Sequence, residues 1–323
     1  MEGQHSEHAL QLVEEDEGLG CSRLYTQGTS YLTLDNCDGV LKVSGVLGSR
    51  AFEAASLESL DLLSKSNRSL SLSPERVQFR GEEDERKERR PLRVKRAISS
   101  RRSGNCGVAD LNRRYVIRVR AYADYPMFSF FRGLSRGDVS SALTAIQSRI
   151  ANDFRSANLL LRRNDMRVRY RLKLEGVEVQ RTPMRRMHLH AMRRQTTMDD
   201  YLDAFRDTYN EDLRGRADFI ILFTALDNFA DRYLEGLASY GAMCDRRESV
   251  AVVKYDVRQR GVNLVHEVAH SLGMAHDGEN GPGCSDRPKF IMNAYAADRI
   301  LWSPCSSRQA ASWLACFDCL QTE

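Results

Sequence analysis

Three of the chain's seven histidines fall within one short stretch, VHEVAHSLGMAHDG, at residues 265–278. His266 and His270 are four residues apart, so a helix places them on one face about one turn apart. Two imidazoles at that spacing can reach a single tetrahedral ion. Glu267 lies between them in sequence and can face a metal-activated water without taking a ligand position. Gly273 permits the left-handed backbone that ends a helix and turns the chain. The turn returns His276 as a third ligand. Three histidine ligands leave the fourth position of a zinc ion open to water, which marks a catalytic rather than a structural site. A second pair, His188 and His190 in RRMHLHAMRR, reads instead as part of an Arg-rich loop.

The elements that must position these residues follow a repeating pattern. YVIRVRAYA (115–123) and MRVRYRLKL (166–174) alternate as strands do, and FIILF (219–223) and SVAVVKY (249–255) read as buried strands. Residues 140–161 place Leu143, Ile146, Ile150 and Phe154 at helical spacing. Residues 198–213 continue as a helix with Thr197 as its N-cap, and 262–272 form the helix that carries His266 and His270. Strands alternating with helices predict an α/β sandwich around a mostly parallel sheet.

Upstream, YLTLDNCDGVLKVSGVLGSRAFEA (31–54) reads as short strands broken by Asp-Gly and Ser-Gly turns. Between the halves lies GEEDERKERRPLRVKRAISSRRS (81–103), a charged segment with few large apolar residues that suits an exposed linker. It contains Arg93-Val94-Lys95-Arg96, a furin-like convertase pattern with cleavage after Arg96. The expected organisation is a propeptide over 1–96, a linker over 97–114 and a catalytic domain over 115–323. Residues 1–96 carry 14 basic and 17 acidic side chains, and 97–323 carry 34 and 27, so the two parts have opposite net charge. No apolar run approaches the roughly 20 residues that cross a bilayer. The Arg-rich 161–194 stretch has no recognisable nucleic-acid motif, so neither a membrane span nor a nucleic-acid partner is expected. The eight cysteines, an even count, suit disulfides in an oxidising compartment. An extracellular location is expected, yet MEGQHSEHALQLVEEDEG at the start shows no hydrophobic signal core, so the N-terminus is expected to be incomplete.

HEVAHSLGMAHD resembles the HExxHxxGxxHD signature of the metzincin metallopeptidases, and Asp277 after the third histidine points to their reprolysin, or adamalysin (M12B), branch. GLASYGAMC (236–244), FIM (290–292), WSPCS (302–306) and YVIRVRAYAD (115–124) extend the likeness over about 115–320. It is similar to arthropod catalytic domains of the tick salivary type and to those of disintegrin-and-metalloproteases. The resemblance implies a catalytic domain with one antiparallel edge strand, an active-site helix and a Met-turn at Met292, after a β-rich prodomain remnant. It implies a secreted endopeptidase that binds one Zn2+ through His266, His270 and His276. A zinc-bound water would attack the peptide bond with Glu267 as general base. The segment 236–241 would bind peptide as an added strand. Substrates would be proteins, including extracellular matrix or host plasma proteins, and a proprotein convertase would mature the zymogen. A non-catalytic binding protein on the same fold is the competing reading, and the intact Glu267 and histidines argue against it. Where the family's structural Ca2+ takes a Glu, this chain has Ile117, so that ion is not expected.

The resemblance also bears on the cysteines. Cys284 would pair with Cys305, and Cys244 with Cys319 or Cys316. Asn105-Cys106-Gly107-Val108 resembles the segment whose thiolate blocks zinc in zymogens of this class, yet Cys106 follows Arg96. A cut after Arg96 leaves an even number of cysteines on each side, which suits Cys106 in a disulfide. A cut after Arg114 would remove Cys106 as a switch. Both remain open at the level of sequence.

Overall fold

The computed structural model describes residues 110–323, apart from 192–195, 214–216, 232–233, 256–260, 280–283, 286, 288–289 and 295–300, and the backbone of six strands between residues 8 and 72. Arg96, Cys106 and the linker around them lie outside the described residues. The chain divides into two compact units, residues 1–87 with 257–259, and the remainder.

The first unit holds an antiparallel sheet of β1 (His8–Glu15), β2 (Ser22–Gln27), β3 (Ser30–Asp35), β4 (Lys42–Leu47), β5 (Arg50–Ala55) and β6 (Ser69–Leu72), in the order β5-β4-β3-β2-β1-β6. One expectation is corrected here. Ser44-Gly45 is not a turn: it sits inside β4, with Gly45 opposite both Leu32 and Phe52. The chain reverses after Leu47, which pairs with Arg50. A strand paired on both sides satisfies the Gly45 backbone whatever its weak strand propensity.

The second unit is built on a sheet of β7 (Arg114–Ala123), β8 (Arg169–Val179), β9 (Phe219–Thr224), β10 (Gly236–Ala238), β11 (Val250–Lys254) and β12 (Gln321–Thr322). β8, β7, β9 and β11 run parallel, while β10 is an antiparallel edge strand on β11. The short β12 pairs antiparallel with the start of β7, through Gln321↔Val116 and Thr322↔Tyr115. The helices are α1 (Tyr125–Leu134), α2 (Val139–Leu161), α3 (Arg185–Ala191), α4 (Met198–Leu213), α5 (Val262–Ser271) and α6 (Pro304–Leu314).

The strands read as continuous apolar runs because both faces are covered. In β9, Phe219, Ile221 and Phe223 join a core with Ile146, Ile150, Val265 and Val268 from α2 and α5. Ile220 and Leu222 point the other way, to Tyr201, Leu202 and Phe205 of α4. β11 divides likewise, Ala251 and Val253 to the first face and Val250 and Val252 to the second. That period of two leaves the α5 side as the face that carries the histidines.

Helix α1 adds to the expected elements, and α3 corrects one of them. α1 starts where Asp124 accepts from the Met127 N–H at 2.8 Å, with Pro126 in its first turn. The RRMHLHA segment is helix α3, not a loop, with Met187 buried among the residues of α4. β8 begins at Arg169, three residues beyond the expected start, because Arg163, Asp165 and Met166 form the turn that leaves α2. Thr197 caps α4 as expected, accepting from the Asp200 N–H at 3.1 Å.

Candidate metal centre

Helix α5 is buried from Asn263 to Ser271, and it ends in a tight reversal. The Gly273 N–H donates to the His270 carbonyl and the Met274 N–H to the Ala269 carbonyl, both at 2.9 Å. This paired arrangement is the Schellman motif, and Gly273 takes the left-handed conformation it requires, φ +82°. A Cβ on Gly273 would stand 2.3 Å from the Trp313 ring, so the residue is bound by packing as well as by backbone angle. The segment after β10 grips the same helix end. The Gly241 N–H donates to His270 O and the Met243 N–H to Ser271 O, each at 2.9 Å, and the Tyr240 hydroxyl donates to Gly273 O at 2.8 Å.

The reversal brings His276 back to the helix. The three Nε2 atoms lie 3.1 Å (His266–His270), 3.3 Å (His266–His276) and 3.2 Å (His270–His276) apart. Nitrogens bound tetrahedrally to zinc at ordinary bond lengths stand about 3.4 Å apart, so the triad fits that ion. The outer nitrogens support the fit. His266 Nδ1–H donates to Ile291 O at 2.6 Å, His270 Nδ1–H to Met274 O at 2.8 Å, and His276 Nδ1–H to the Glu279 carboxylate at 3.3 Å. With the proton held on Nδ1, each Nε2 presents a lone pair inward. Among the described residues this is the one cluster of three or more His, Cys, Asp or Glu placed to share a metal. His188 and His190 lie on α3 and take no part in it.

Met292 is fully buried and belongs to the same core as α5. Its carbonyl accepts from the Asp277 N–H at 2.8 Å, and the preceding Ile291 N–H donates to Leu301 O at 2.7 Å. The 290–292 turn is thereby tied both to His266 and to the residue after His276. The Asp277 side chain meets the start of α6. Its Oδ1 accepts from the hydroxyls of Ser303, the N-cap of α6, and Ser306. Two disulfides close the periphery: Cys284–Cys305 joins the loop after the triad to α6, and Cys244–Cys319 joins the segment after β10 to the chain end. Cys319, not Cys316, is therefore the partner of Cys244. Cys316 is also disulfide-bonded, to a cysteine outside the described residues.

Glu267 is 2% exposed and packs against the first residue of β10: a Cβ on Gly236 would fall 2.5 Å from Oε1 and 2.8 Å from both Cδ and Cγ. The general-base candidate and the candidate peptide-binding edge are thus in direct contact. Sequence reasoning missed this pairing, because 31 positions separate the two residues and Gly236 reads as an ordinary strand glycine. It also missed Glu279, whose offset of three from His276 was the available signal.

A second polar feature lies at the end of β7. Asp124 is buried, and burial pushes its carboxyl up to about 6 against the lowering effect of hydrogen bonds from Thr224, the Met127 N–H and the Tyr201 hydroxyl. A small cavity beside it is lined by Gln180, Met184, Met187 and His188 among others, and none of His266, His270 and His276 lines it.

The comparisons with known proteins agree with this geometry. The chain is 33% identical over 106 residues to a disintegrin and metalloproteinase with thrombospondin motifs 13 of Homo sapiens, covering 31% of this chain and 7% of that protein. It is 28% identical over 129 residues to a disintegrin and metalloproteinase with thrombospondin motifs 2 of Bos taurus, covering 38% and 10%. The matched region is thus a small part of each relative's length. The model of the reprolysin (M12B) family zinc metalloproteases matches residues 142–322, which include most of α2, the histidine triad, Glu267, the Met292 turn and both defined disulfides. The chain therefore belongs to the reprolysin (M12B) family of zinc metalloproteases.

Proposed function

We propose that the chain is a secreted zinc-dependent endopeptidase, with His266, His270 and His276 as the zinc ligands and Glu267 as the general base. The observation that carries this reading is the convergence of three Nε2 atoms beside a buried carboxylate that touches an edge strand. Zinc held there supplies Lewis acidity toward the attacking water and the scissile carbonyl. The side chains supply the rest. The Nδ1–H bonds fix the rings so that no imidazole has to turn when the ion binds. Glu267 takes a proton from the attacking water and delivers it to the leaving amine. β10 pairs with β11 on one side, so its other edge is suited to receive an extended segment of substrate as an added strand.

In this reading the six-stranded sheet of the first unit belongs to a propeptide over 1–96, and a convertase cuts after Arg96. The substrates are extracellular proteins, matrix or plasma components among them. The deciding experiment compares wild type with Glu267→Ala. The variant should retain one zinc per chain and lose peptide cleavage by at least about 10²-fold, the scale of a lost general base. Cleavage retained by Glu267→Ala, or undiminished by a zinc chelator, would sink the assignment. A peptide-library digest with the wild type then gives the cleavage preference.

A further inference from the structure

The three imidazoles are not held alike. His266 and His270 stand on α5, and each gives its outer N–H to a backbone carbonyl. His276 stands on the turn after the helix, outside α5. Its outer N–H goes to a side chain, the carboxylate of Glu279. His276 is fully buried, while the Glu279 side chain is 58% exposed. The local chain explains the geometry. Gly278 takes φ +94°, and the Glu279 N–H donates back to His276 O at 3.3 Å, which brings the carboxylate to the Nδ1 edge of the ring. The neighbouring Asp277 is committed to Ser303 and Ser306 and does not serve this purpose.

We propose that Glu279 is a positioning residue for the metal centre: its carboxylate holds the His276 ring by the Nδ1–H and raises the affinity of the triad for zinc. The inference rests on the zinc reading of the triad given above. A carboxylate that accepts from Nδ1 makes the opposite nitrogen a better donor and adds negative charge near the dication, and loss of such a partner typically costs 10–100-fold in affinity or activity. Because Glu279 is mostly exposed, the charge part of this effect must be screened by salt, unlike a buried contact.

The test uses the whole chain stripped of metal and titrated with zinc against a chromophoric chelator, so the readout is affinity and not activity. Glu279→Gln and Glu279→Ala should each weaken zinc binding by about 10-fold at low salt. The gap between wild type and Glu279→Gln should narrow in 1 M salt, roughly a Debye length of 3 Å. The thermal midpoints of the metal-free proteins should coincide, which separates positioning from a general loss of structure. Wild-type affinity in Glu279→Gln, or a loss of affinity that salt does not change, would overturn the proposal. A wild-type chain that takes up no zinc, or a His276→Ala variant that binds it unimpaired, would overturn the triad reading itself and this inference with it.

Discussion

A single methyl group placed on β10 tests whether the edge strand and the proposed general base, Glu267, are one unit. In Gly236→Ala the new Cβ would stand 2.5 Å from Glu267 Oε1 and 2.8 Å from its Cδ and Cγ. Carbon–carbon contacts are comfortable at about 3.5–4.0 Å, so the side chain has to withdraw by roughly 1 Å. A swing of the carboxylate tip does not suffice, because Cγ is as close as Cδ. Nor can the strand back away: Gly236 pairs with Val253, and the Lys254 N–H donates to Glu235 O at 2.8 Å. Glu267 is 2% exposed, so it has no solvent to move into. A displacement of about 1 Å from productive geometry can cost about 10²-fold in rate. That corresponds to about 2.7 kcal/mol on the barrier. The three atoms nearest the new methyl all belong to Glu267 and none to a histidine, so zinc content should stay at the wild-type level. The assay is steady-state cleavage of a quenched fluorescent peptide, with metal content measured on the same preparation. The expected result is a kcat lower by about two decades, with KM little changed and zinc retained. Wild-type kcat would refute the contact, and a loss of rate in proportion to a loss of zinc would show that the whole centre had shifted.

Three other outcomes are expected. The Asp124 carboxyl is raised from 3.8 to about 6, so the folded protein holds that proton when the unfolded chain has lost it. Its contribution to stability is full below pH 4 and is lost as pH rises towards 6, an order of about 3 kcal/mol. Asp124→Asn, which still caps α1, should remove that fall, and urea midpoints of the two proteins at pH 4.5 and 7.5 would show it; parallel profiles would refute it. Trp313→Ala should cost about 3–5 kcal/mol, because the indole lies under both Gly241 and Gly273. It should weaken zinc binding as well, since the turn to His276 rests on it, and an unchanged zinc affinity would count against that support. Non-reducing peptide mapping should recover Cys244–Cys319, Cys284–Cys305 and a third link from Cys316, expected to Cys106. The segment that enters β7 runs beside the chain end, with the Glu323 N–H donating to Arg114 O at 3.0 Å, which favours that pairing. A freely alkylated Cys106 would restore the zinc-blocking alternative.

The parts of this protein legible in its sequence are those governed by near neighbours. The interval of four between His266 and His270, the left-handed Gly273, the strand character of FIILF and the Thr197 cap each depend on a few adjacent residues and on backbone geometry common to all chains. The starts of most strands and helices around the centre follow for the same reason. The turn at Ser44-Gly45 failed because strand pairing on both sides outweighs local turn chemistry. α3 went unread because a helix of seven residues is too short for its periodicity to show, and its burial against α4 is what makes it stable. The choice of Cys319 over Cys316 for Cys244 turned on a path of 75 residues that no spacing rule determines. The sequence by itself singled out the residues proposed to bind zinc and to move a proton. Tertiary structure alone decided how each is held: His266 by the Ile291 carbonyl, Glu267 by a missing methyl group on β10, and Gly273 by Trp313. Those contacts join segments brought together by burial of the two sheet faces, and burial depends on the whole chain at once.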